Sequence, residues 1–327
     1  MACDKKDNAM ADDMIRVTYR IECAGDVEAM AAKIASDQST GTFTELPAET
    51  EAVRARCAAR VEQVRPLEPL TVPSIPDPAG QGPYRRADVT IAYPLEAVGT
   101  DIAALMTITI GGVFAVKGVT GIRVMDIDLP QAWACHPGPQ FGIDGSRRLM
   151  GVETGPMIAS IIKPSLGLLP DETAAVVADL CAAGVDFIKD DEKLMSPAYS
   201  PLEQRIAAIM PVIRDHEQKT GKRVMYAFGI SSADPDTMMR NHDRVVEAGG
   251  NAAVVNINSI GYGGMSFLRK RSALCLHAHR NGWDILTRHP GLGLEFRAYQ
   301  KIWRLLGVDQ FQINGIQAKY WEPDESF

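Results

Sequence analysis

The stretch Gly184-Val185-Asp186-Phe187-Ile188-Lys189-Asp190-Asp191-Glu192 carries an apolar strand directly into a lysine and three consecutive carboxylates. Side chains two residues apart on a strand share a face, so Lys189 and Asp191 point the same way and Glu192 begins the loop. Carboxylate oxygens suit Mg²⁺, which keeps several waters that a substrate can displace. If the strand belongs to a βα barrel, this is the active end of that barrel. The same residues also fit an acidic helix N-terminus beside a solvated lysine, and both interpretations stay open at this point.

The chain around this stretch alternates regularly between strands and helices. The predicted strands are 157–163, 185–191, 223–229, 252–258, 273–280 and 310–315, and the predicted helices between them are 172–183, 202–220, 235–248, 265–271 and 294–306. This alternation indicates a parallel sheet with right-handed crossovers, as in a (β/α)₈ TIM barrel. A closed barrel needs eight strands, and six would leave two open edges, so we expect the barrel domain, residues 156–327, to be incomplete at its C-terminus.

The preceding residues mix strands and helices without that rhythm. Strands are predicted over 14–22, 42–45, 59–66, 86–93 and 121–129, with helices over 26–36 and 100–109. This mixture indicates an α+β domain of ferredoxin-like type over residues 14–135. The polar residues 1–13 resemble a tag or a disordered arm, and the Pro/Gly-rich start of 136–155 predicts a linker.

Composition narrows the class of protein. The 327 residues carry a net charge of −7, which argues against nucleic acid or an anionic membrane as the main partner. The apolar run 102–116 is short for a membrane span and contains Gly111-Gly112. No signal peptide is visible, and the six scattered cysteines include no CxxC pair. We therefore expect a cytoplasmic protein with reduced thiols.

Two further strand ends carry reactive residues. The first predicted strand ends in Ile161-Ile162-Lys163-Pro164-Ser165, and the fifth contains Leu276-His277-Ala278-His279-Arg280. A lysine, an acidic metal site and a His-Arg pair, at three strand ends around the mouth of a barrel, suit enolate chemistry. In such chemistry the lysine handles protons, the metal holds enolate oxygens, and His and Arg bind an anionic group.

These three motifs, in this order and spacing, resemble the ribulose-bisphosphate carboxylase large-subunit superfamily. The segment Ser39–Phe43 resembles its N-terminal active-site loop, and Gly111–Phe114 resembles the segment before its last N-terminal strand. The chain departs from the carboxylases at several positions: Ser165 stands where they have a second lysine, Gly112 where they have an asparagine, and Trp283 where they have a histidine. The chain is therefore similar to the RuBisCO-like proteins (form IV), which do not fix CO₂.

The resemblance implies a role for each candidate residue. Lys189 would take up CO₂ as a carbamate and bind Mg²⁺ together with Asp191 and Glu192, while Lys163 would act as acid/base with a pKa lowered by metal and burial. The implied substrate-binding residues are His279, Arg280, Asp37 and Thr42. Asn258, Gln312 and Asn314 lie at predicted strand ends, where we expect them to hydrogen-bond substrate hydroxyls. Each role has a structural alternative. Lys189 could form a structural Lys–Asp pair, Asp191 and Glu192 could cap a helix, and Lys163 could be a surface lysine before a proline turn.

Several reactions share the implied enolate. We favour decarboxylation of a 3-oxo-isoapionate-4-phosphate type acid, or its transcarboxylase/hydrolase equivalent, because breaking a C–C bond forms the enolate directly and then requires one proton donor. The alternatives are a methionine-salvage 2,3-diketo-5-methylthiopentyl-1-phosphate enolase and a 5-methylthioribulose-1-phosphate isomerase. A non-catalytic metabolite-binding scaffold is the alternative of another class. The resemblance further implies a homodimer, or a multiple of dimers, in which Asp37 and Thr42 of one subunit complete the site of its partner.

Overall fold

The computed structural model describes residues 13–41, 44, 46–76, 82–317 and 321–322. These residues divide into two compact units. The first contains the described residues up to His136 together with Asp284–Ile302, and the second contains Pro137–Trp283 and those from Trp303 onward. The segment Asp284–Ile302, which the sequence analysis assigns to the barrel, thus belongs to the first unit.

Strands and helices have the following bounds in the described residues. The strands are β1 (Met14–Cys23), β2 (Arg60–Leu70), β3 (Tyr84–Pro94), β4 (Val119–Asp128), β5 (Ala159–Ile161), β6 (Phe187–Lys189), β7 (Met225–Gly229), β8 (Ala252–Asn256), β9 (Cys275–His279), β10 (Leu292–Leu294) and β11 (Gln310–Phe311). The α-helices are α1 (Val27–Asp37), α2 (Glu51–Cys57), α3 (Leu95–Val98), α4 (Ile102–Met106), α5 (Gly142–Met150), α6 (Pro170–Ala182), α7 (Leu202–Thr220), α8 (Pro235–Glu247), α9 (Ile257–Arg269), α10 (Trp283–Thr287) and α11 (Phe296–Leu305).

The first unit is built on a mixed sheet with the strand order β10-β4-β1-β3-β2. Strand β1 lies between β3 and β4 and pairs antiparallel with both, whereas β10 adds to β4 in parallel. Alternate residues of β1, from Ile15 to Ile21, are fully buried, as its alternating sequence predicts. The strand predicted over 42–45 falls mostly on residues outside the described part of the chain. The helix predicted over 100–109 is α4 followed by a π-helical turn, Thr107–Gly111.

The second unit is built on a six-stranded parallel sheet with the order β11-β9-β8-β7-β6-β5. Every neighbouring pair runs parallel, and helices α6, α7, α8 and α9 lie between successive strands in the chain. Strands β7 and β8 are buried along their whole length, as expected for a sheet covered on both faces. The predicted parallel half-barrel is therefore confirmed, although each of its six strands is at least two residues shorter than predicted.

The segment predicted as a linker, 136–155, is not an open connection, because α5 occupies nine of its residues. The first amides of this helix region, Phe141 N and Gly142 N, donate to Asp309 Oδ1 at 2.6 and 3.1 Å. The aspartate therefore takes the place of a helix-capping side chain and fixes α5 to the start of β11.

Within the described residues, no helix combines the length and apolar character needed to cross a membrane. Five cysteines fall in the described residues, and all five are free thiols.

Candidate active site

The candidate active site lies at the carboxyl edge of the parallel sheet. Ile161 in β5 pairs with Lys189 in β6. Lys163 and Asp191 each lie two positions further along the sequence, so they are adjacent at the ends of these two strands. Strand β9 ends at His279, two strands away from β7. Parallel strands thus gather residues from separate motifs at one edge, where barrel enzymes place their chemistry.

Lys163 contacts Asp191 directly. The Lys163 ammonium donates to Asp191 Oδ2, and its second contact is Ser165 Oγ at 3.1 Å. The lysine side chain is 59% exposed, whereas that of Asp191 is 1% exposed, so the expected burial of Lys163 is not found. Burial opposes ionisation of Asp191, but hydrogen bonds from Lys163, the Lys193 amide and Ser165 outweigh it and lower the pKa of Asp191. Asp191 is therefore an ionised, buried carboxylate facing an accessible proton donor.

Lys189 is buried, with 1% of its surface exposed. Its Nζ donates to the Asp190 carbonyl at 3.1 Å and lies 3.7 Å from Glu192 Oε2. Burial lowers the pKa of Lys189 more than the neighbouring carboxylates, Glu192 first, raise it. A larger fraction of this amine is therefore neutral, and so nucleophilic, than in a solvent-exposed lysine at the same pH.

Glu192 and His279 complete the cluster. Glu192 Oε2 lies 3.5 Å from His279 Nε2. Burial, reinforced by Lys189, lowers the pKa of His279 to about 4, so the imidazole is neutral near pH 7. Its Nδ1 is buried and has no hydrogen-bond partner among the described residues.

Asn256, the last residue of β8, contacts Glu192 and was not predicted from the sequence. Asn256 Nδ2 donates to the Glu192 carbonyl at 2.7 Å, and Asn256 Oδ1 is buried without a hydrogen-bond partner in the described part of the chain. The predicted residue, Asn258, lies instead in α9 and donates to the Asn281 carbonyl at 2.7 Å. The signal was present in the sequence, because Asn256 is the polar residue that ends an apolar run, but the strand was predicted two residues too long.

The predicted phosphate contact, Arg280, is paired with a carboxylate. Its Nη1 and Nη2 donate to Glu322 at 2.9 and 2.8 Å, and its Nε donates to the Gln312 carbonyl at 3.1 Å. Trp283 Nε1 and Asn314 Nδ2 donate to the same Glu322. Gln312 and Asn314 thus lie beside Arg280 rather than in the Lys163–Asp191 cluster.

Two predicted residues, Asp37 and Thr42, belong to the N-terminal part of the chain. Asp37 is the exposed last residue of α1, and Thr42 lies outside the described residues. The structure gives a local reason for Gly112, since a Cβ there would lie 2.8 Å from Gln38 Oε1. The Gln38 amide therefore fills the space that a side chain at position 112 would occupy.

The side chains at the carboxyl edge that could bind a metal ion supply one anionic group too few. Within the described part of the chain, no three His, Cys, Asp or Glu side chains converge as a metal site. Glu192 Oε2 lies 3.7 Å from the Lys189 amine, and the Asp191 carboxylate is near enough to raise the pKa of that amine. These residues fit a Mg²⁺ site if Lys189 carries a carbamate, because that group would supply the third set of oxygen donors.

Comparison with known proteins gives consistent results for both units. Residues 3–133 match the family described as "Ribulose bisphosphate carboxylase large chain, N-terminal domain", and residues 142–327 match the corresponding "catalytic domain". A protein of Rhizobium rhizogenes named 3-oxo-isoapionate-4-phosphate decarboxylase is 70% identical over 315 residues, which cover 96% of this chain and 75% of that protein.

Solved structures agree. A rubisco-like protein from Burkholderia fungorum superposes with a TM-score of 0.89 at 37% identity. The match covers 96% of this chain and 76% of the Burkholderia chain. A dimeric archaeal Rubisco from Hyperthermus butylicus gives a TM-score of 0.81 at 25% identity, covering 95% and 70%.

Proposed function

The chain belongs to the ribulose bisphosphate carboxylase large-chain family, and on this premise we propose that it decarboxylates a phosphorylated 3-oxo sugar acid of the 3-oxo-isoapionate 4-phosphate type. The observation that carries the proposal is the contact between accessible Lys163 and buried Asp191, beside the buried amine of Lys189. The 70% identity to a decarboxylase of that name supports the choice of substrate. Ser165, in place of the carboxylases' second lysine, supports a reaction other than CO₂ fixation.

Lys189, Asp191 and Glu192 are the residues that would hold Mg²⁺. The neutral Lys189 amine would attack CO₂, forming an N–C bond and losing one proton, to give an anionic carbamate. Mg²⁺, when bound, supplies positive charge near an oxygen that becomes negative during the reaction. The lowered pKa of Lys189 supports this carbamylation, because only the unprotonated amine reacts.

The reaction of a 3-oxo acid requires little covalent chemistry from the protein. The bond between the carboxylate carbon and C2 breaks, CO₂ leaves, and the electron pair passes into the 3-oxo group as an enolate. Lys163 Nζ then gives a proton to C2, which restores the ketone. Because the Lys163 side chain is largely exposed, it can regain that proton from water. The net change is one proton consumed and one CO₂ released.

The phosphate of the substrate would bind near His279 and Arg280. A guanidinium forms two parallel hydrogen bonds with phosphate as it does with a carboxylate. The bidentate pair of Arg280 with Glu322 supports this assignment, since a phosphate would take the place of the carboxylate. Asn258, Gln312 and Asn314 would bind substrate hydroxyls.

The proposed assembly is a cytoplasmic homodimer in which Asp37 and Thr42 of one subunit contribute to the site of the other. The dimeric archaeal relative supports the dimer. The free cysteines of the described residues are consistent with a reducing compartment.

The test is NMR in D₂O with Mg²⁺, bicarbonate and 3-oxo-isoapionate 4-phosphate. We expect loss of the carboxyl signal with deuterium incorporated at C2 of the product. Lys163→Ala should abolish both, whereas Lys193→Ala, an exposed lysine of the same edge, should not. Fixation of labelled CO₂ onto ribulose 1,5-bisphosphate would contradict the proposal, and tight substrate binding without turnover would favour the non-catalytic scaffold.

A further inference from the structure

Asp190 stands between two candidate metal ligands but points away from them. It is fully buried, and its carboxylate accepts three hydrogen bonds. The donors are Tyr226 Oη at 2.6 Å, Gly229 N at 2.9 Å and Arg205 Nη2 at 3.1 Å. This carboxylate is therefore held on several sides, and the backbone that carries Lys189 and Asp191 is held with it.

Arg205 connects Asp190 to the loop after Glu192. The arginine lies in α7, is fully buried, and donates to the Met195 carbonyl at 2.6 Å and to the Ser200 carbonyl. One guanidinium thus joins the end of β6 to both ends of the loop that begins at the metal-binding run.

The end of β7 closes on the same loop. A Cβ on Gly229 would lie 2.5 Å from the Leu194 carbonyl oxygen, so strand and loop pack backbone against backbone. The loop therefore has little room to shift relative to Lys189–Glu192.

We propose that Arg205, acting through Asp190, is a positioning residue that sets the arrangement of Lys189, Asp191 and Glu192 for Mg²⁺. This inference rests on the proposed function. A buried ion pair is by itself weak evidence for stability, because desolvation offsets much of its attraction. Its location between metal ligands is the informative feature, since groups behind the ligands orient them. The Asp190 carbonyl is part of the same arrangement, because it accepts from Lys189 Nζ.

The chain contains a matched control at the opposite edge of the sheet. Arg269 and Asp309 form a second buried pair, with Nη1 and Oδ2 3.4 Å apart. Asp309 also accepts from Leu276 N at 2.9 Å, near the start of β9. Substituting Arg269 by lysine perturbs a comparable pair of the same sheet. That pair lies at the amino ends of the strands, whereas Lys189–Glu192 lies at their carboxyl ends.

The experiment measures Mg²⁺ affinity by calorimetry in bicarbonate, together with urea unfolding, for the wild type, Arg205→Lys and Arg269→Lys. Lysine cannot reproduce the fork that joins Asp190 to two carbonyls. We expect Mg²⁺ affinity to fall by about 10- to 100-fold in Arg205→Lys and to stay at the wild-type value in Arg269→Lys. Tyr226→Phe, which removes one hydrogen bond to Asp190, should weaken Mg²⁺ binding in the same direction in a protein that still folds.

Wild-type affinity in both Arg205→Lys and Tyr226→Phe would overturn the inference. An equal loss of affinity in Arg205→Lys and Arg269→Lys would also overturn it, because the effect would then follow stability alone. Failure of the wild type to bind Mg²⁺ would instead overturn the proposed metal site, and the inference with it.

Discussion

Asp190 and Asp309 are both buried aspartates paired with a buried arginine, one at the carboxyl edge and one at the amino edge of the same parallel sheet. At the amino edge, Asp309 accepts from the main-chain amides of Phe141 and Gly142 at the start of α5 and from one amide of β9. Every contact there joins one structural element to another. At the carboxyl edge, Asp190 makes the same kinds of contact, but its sequence neighbours are Lys189 and Asp191.

The two edges differ in how completely their polar groups are paired. At the carboxyl edge, His279 Nδ1 and Asn256 Oδ1 are buried without partners among the described residues. Such groups cost free energy in a folded protein unless a ligand satisfies them. We therefore expect substitutions at the amino edge to change stability alone, and substitutions at the carboxyl edge to change the proposed reaction or the proposed Mg²⁺ site.

The largest expected effect is on the reaction rate, and it comes from a substitution at the carboxyl edge. Lys163→Ala should lower the decarboxylation rate by about 10²- to 10⁴-fold, because it removes the proton donor. The free energy of unfolding should fall by about 1–3 kcal/mol, because buried Asp191 would keep only its hydrogen bonds from the Lys193 amide and Ser165. Steady-state kinetics and urea unfolding measure the two quantities, with Lys193→Ala as the control. An undiminished rate would remove Lys163 from the mechanism.

The next effect concerns the amino edge. Asp309→Ala should lower the free energy of unfolding by about 3–5 kcal/mol, because it leaves buried Arg269 without its counter-ion. The milder Asp309→Asn should cost less and leave the Mg²⁺ affinity of the folded protein unchanged. Urea unfolding and calorimetry check both statements. A large loss of Mg²⁺ affinity in folded Asp309→Asn would show that the two edges are not independent.

Much of this sheet could be predicted from sequence, since its elements depend on local patterns. Helix α7 begins at Leu202 and ends at Thr220, as predicted. Five of the six strands end earlier than predicted, because the residues after their last ladder pair already belong to loops or, at β8, to helix α9; β7 ends at Gly229 as predicted. Strand β10 was missed, because Leu292–Leu294 is short and surrounds Gly293, and its pairing depends on distant β4.

The site was predictable only in part for the same reason. Lys163, Lys189, Asp191 and Glu192 follow apolar strands, which marks them in the sequence. Arg205 gave no such signal, because an arginine in a helix has the same local pattern whether it faces water or Asp190. Its role depends on the packing of α7 against the end of β6, which no local pattern specifies.

A smaller effect tests how closely the carboxyl-edge loop is packed. Gly229→Ala would place a Cβ 2.5 Å from the Leu194 carbonyl oxygen, and such overpacking costs about 1–3 kcal/mol. We expect weaker Mg²⁺ binding as well, because the loop after Glu192 must move. Gly250→Ala is the control, since its Cβ would lie 2.6 Å from Val245 Cγ1 beside the amino end of β8. It should cost stability without changing Mg²⁺ affinity, and equal losses of affinity in both variants would contradict the comparison.

The smallest effect is a pH dependence at the other end of β6. Asp186 accepts from Ile158 N at 2.8 Å and pairs with Lys222 Nζ at 2.9 Å. Burial raises the pKa of Asp186, but the Ile158 amide and Lys222 outweigh it, so its pKa lies below the usual value. Folding therefore favours the ionised carboxylate, and the stabilisation is present above about pH 4 and is lost as the pH falls through the lower, folded-state pKa.

Asp186→Asn should accordingly lower the free energy of unfolding by about 1 kcal/mol at pH 7, and the difference from wild type should shrink as the pH approaches 3. Urea unfolding between pH 3 and 7 measures it, with Asp215→Asn, which breaks an exposed pair with Lys219, as the smaller control. Mg²⁺ affinity at pH 7 should be unchanged, although Asp186 directly precedes the short strand β6, which ends at Lys189. A loss of affinity would mean that β6 transmits a change at its amino end to the metal ligands, and the division between the two edges would then not hold within a single strand.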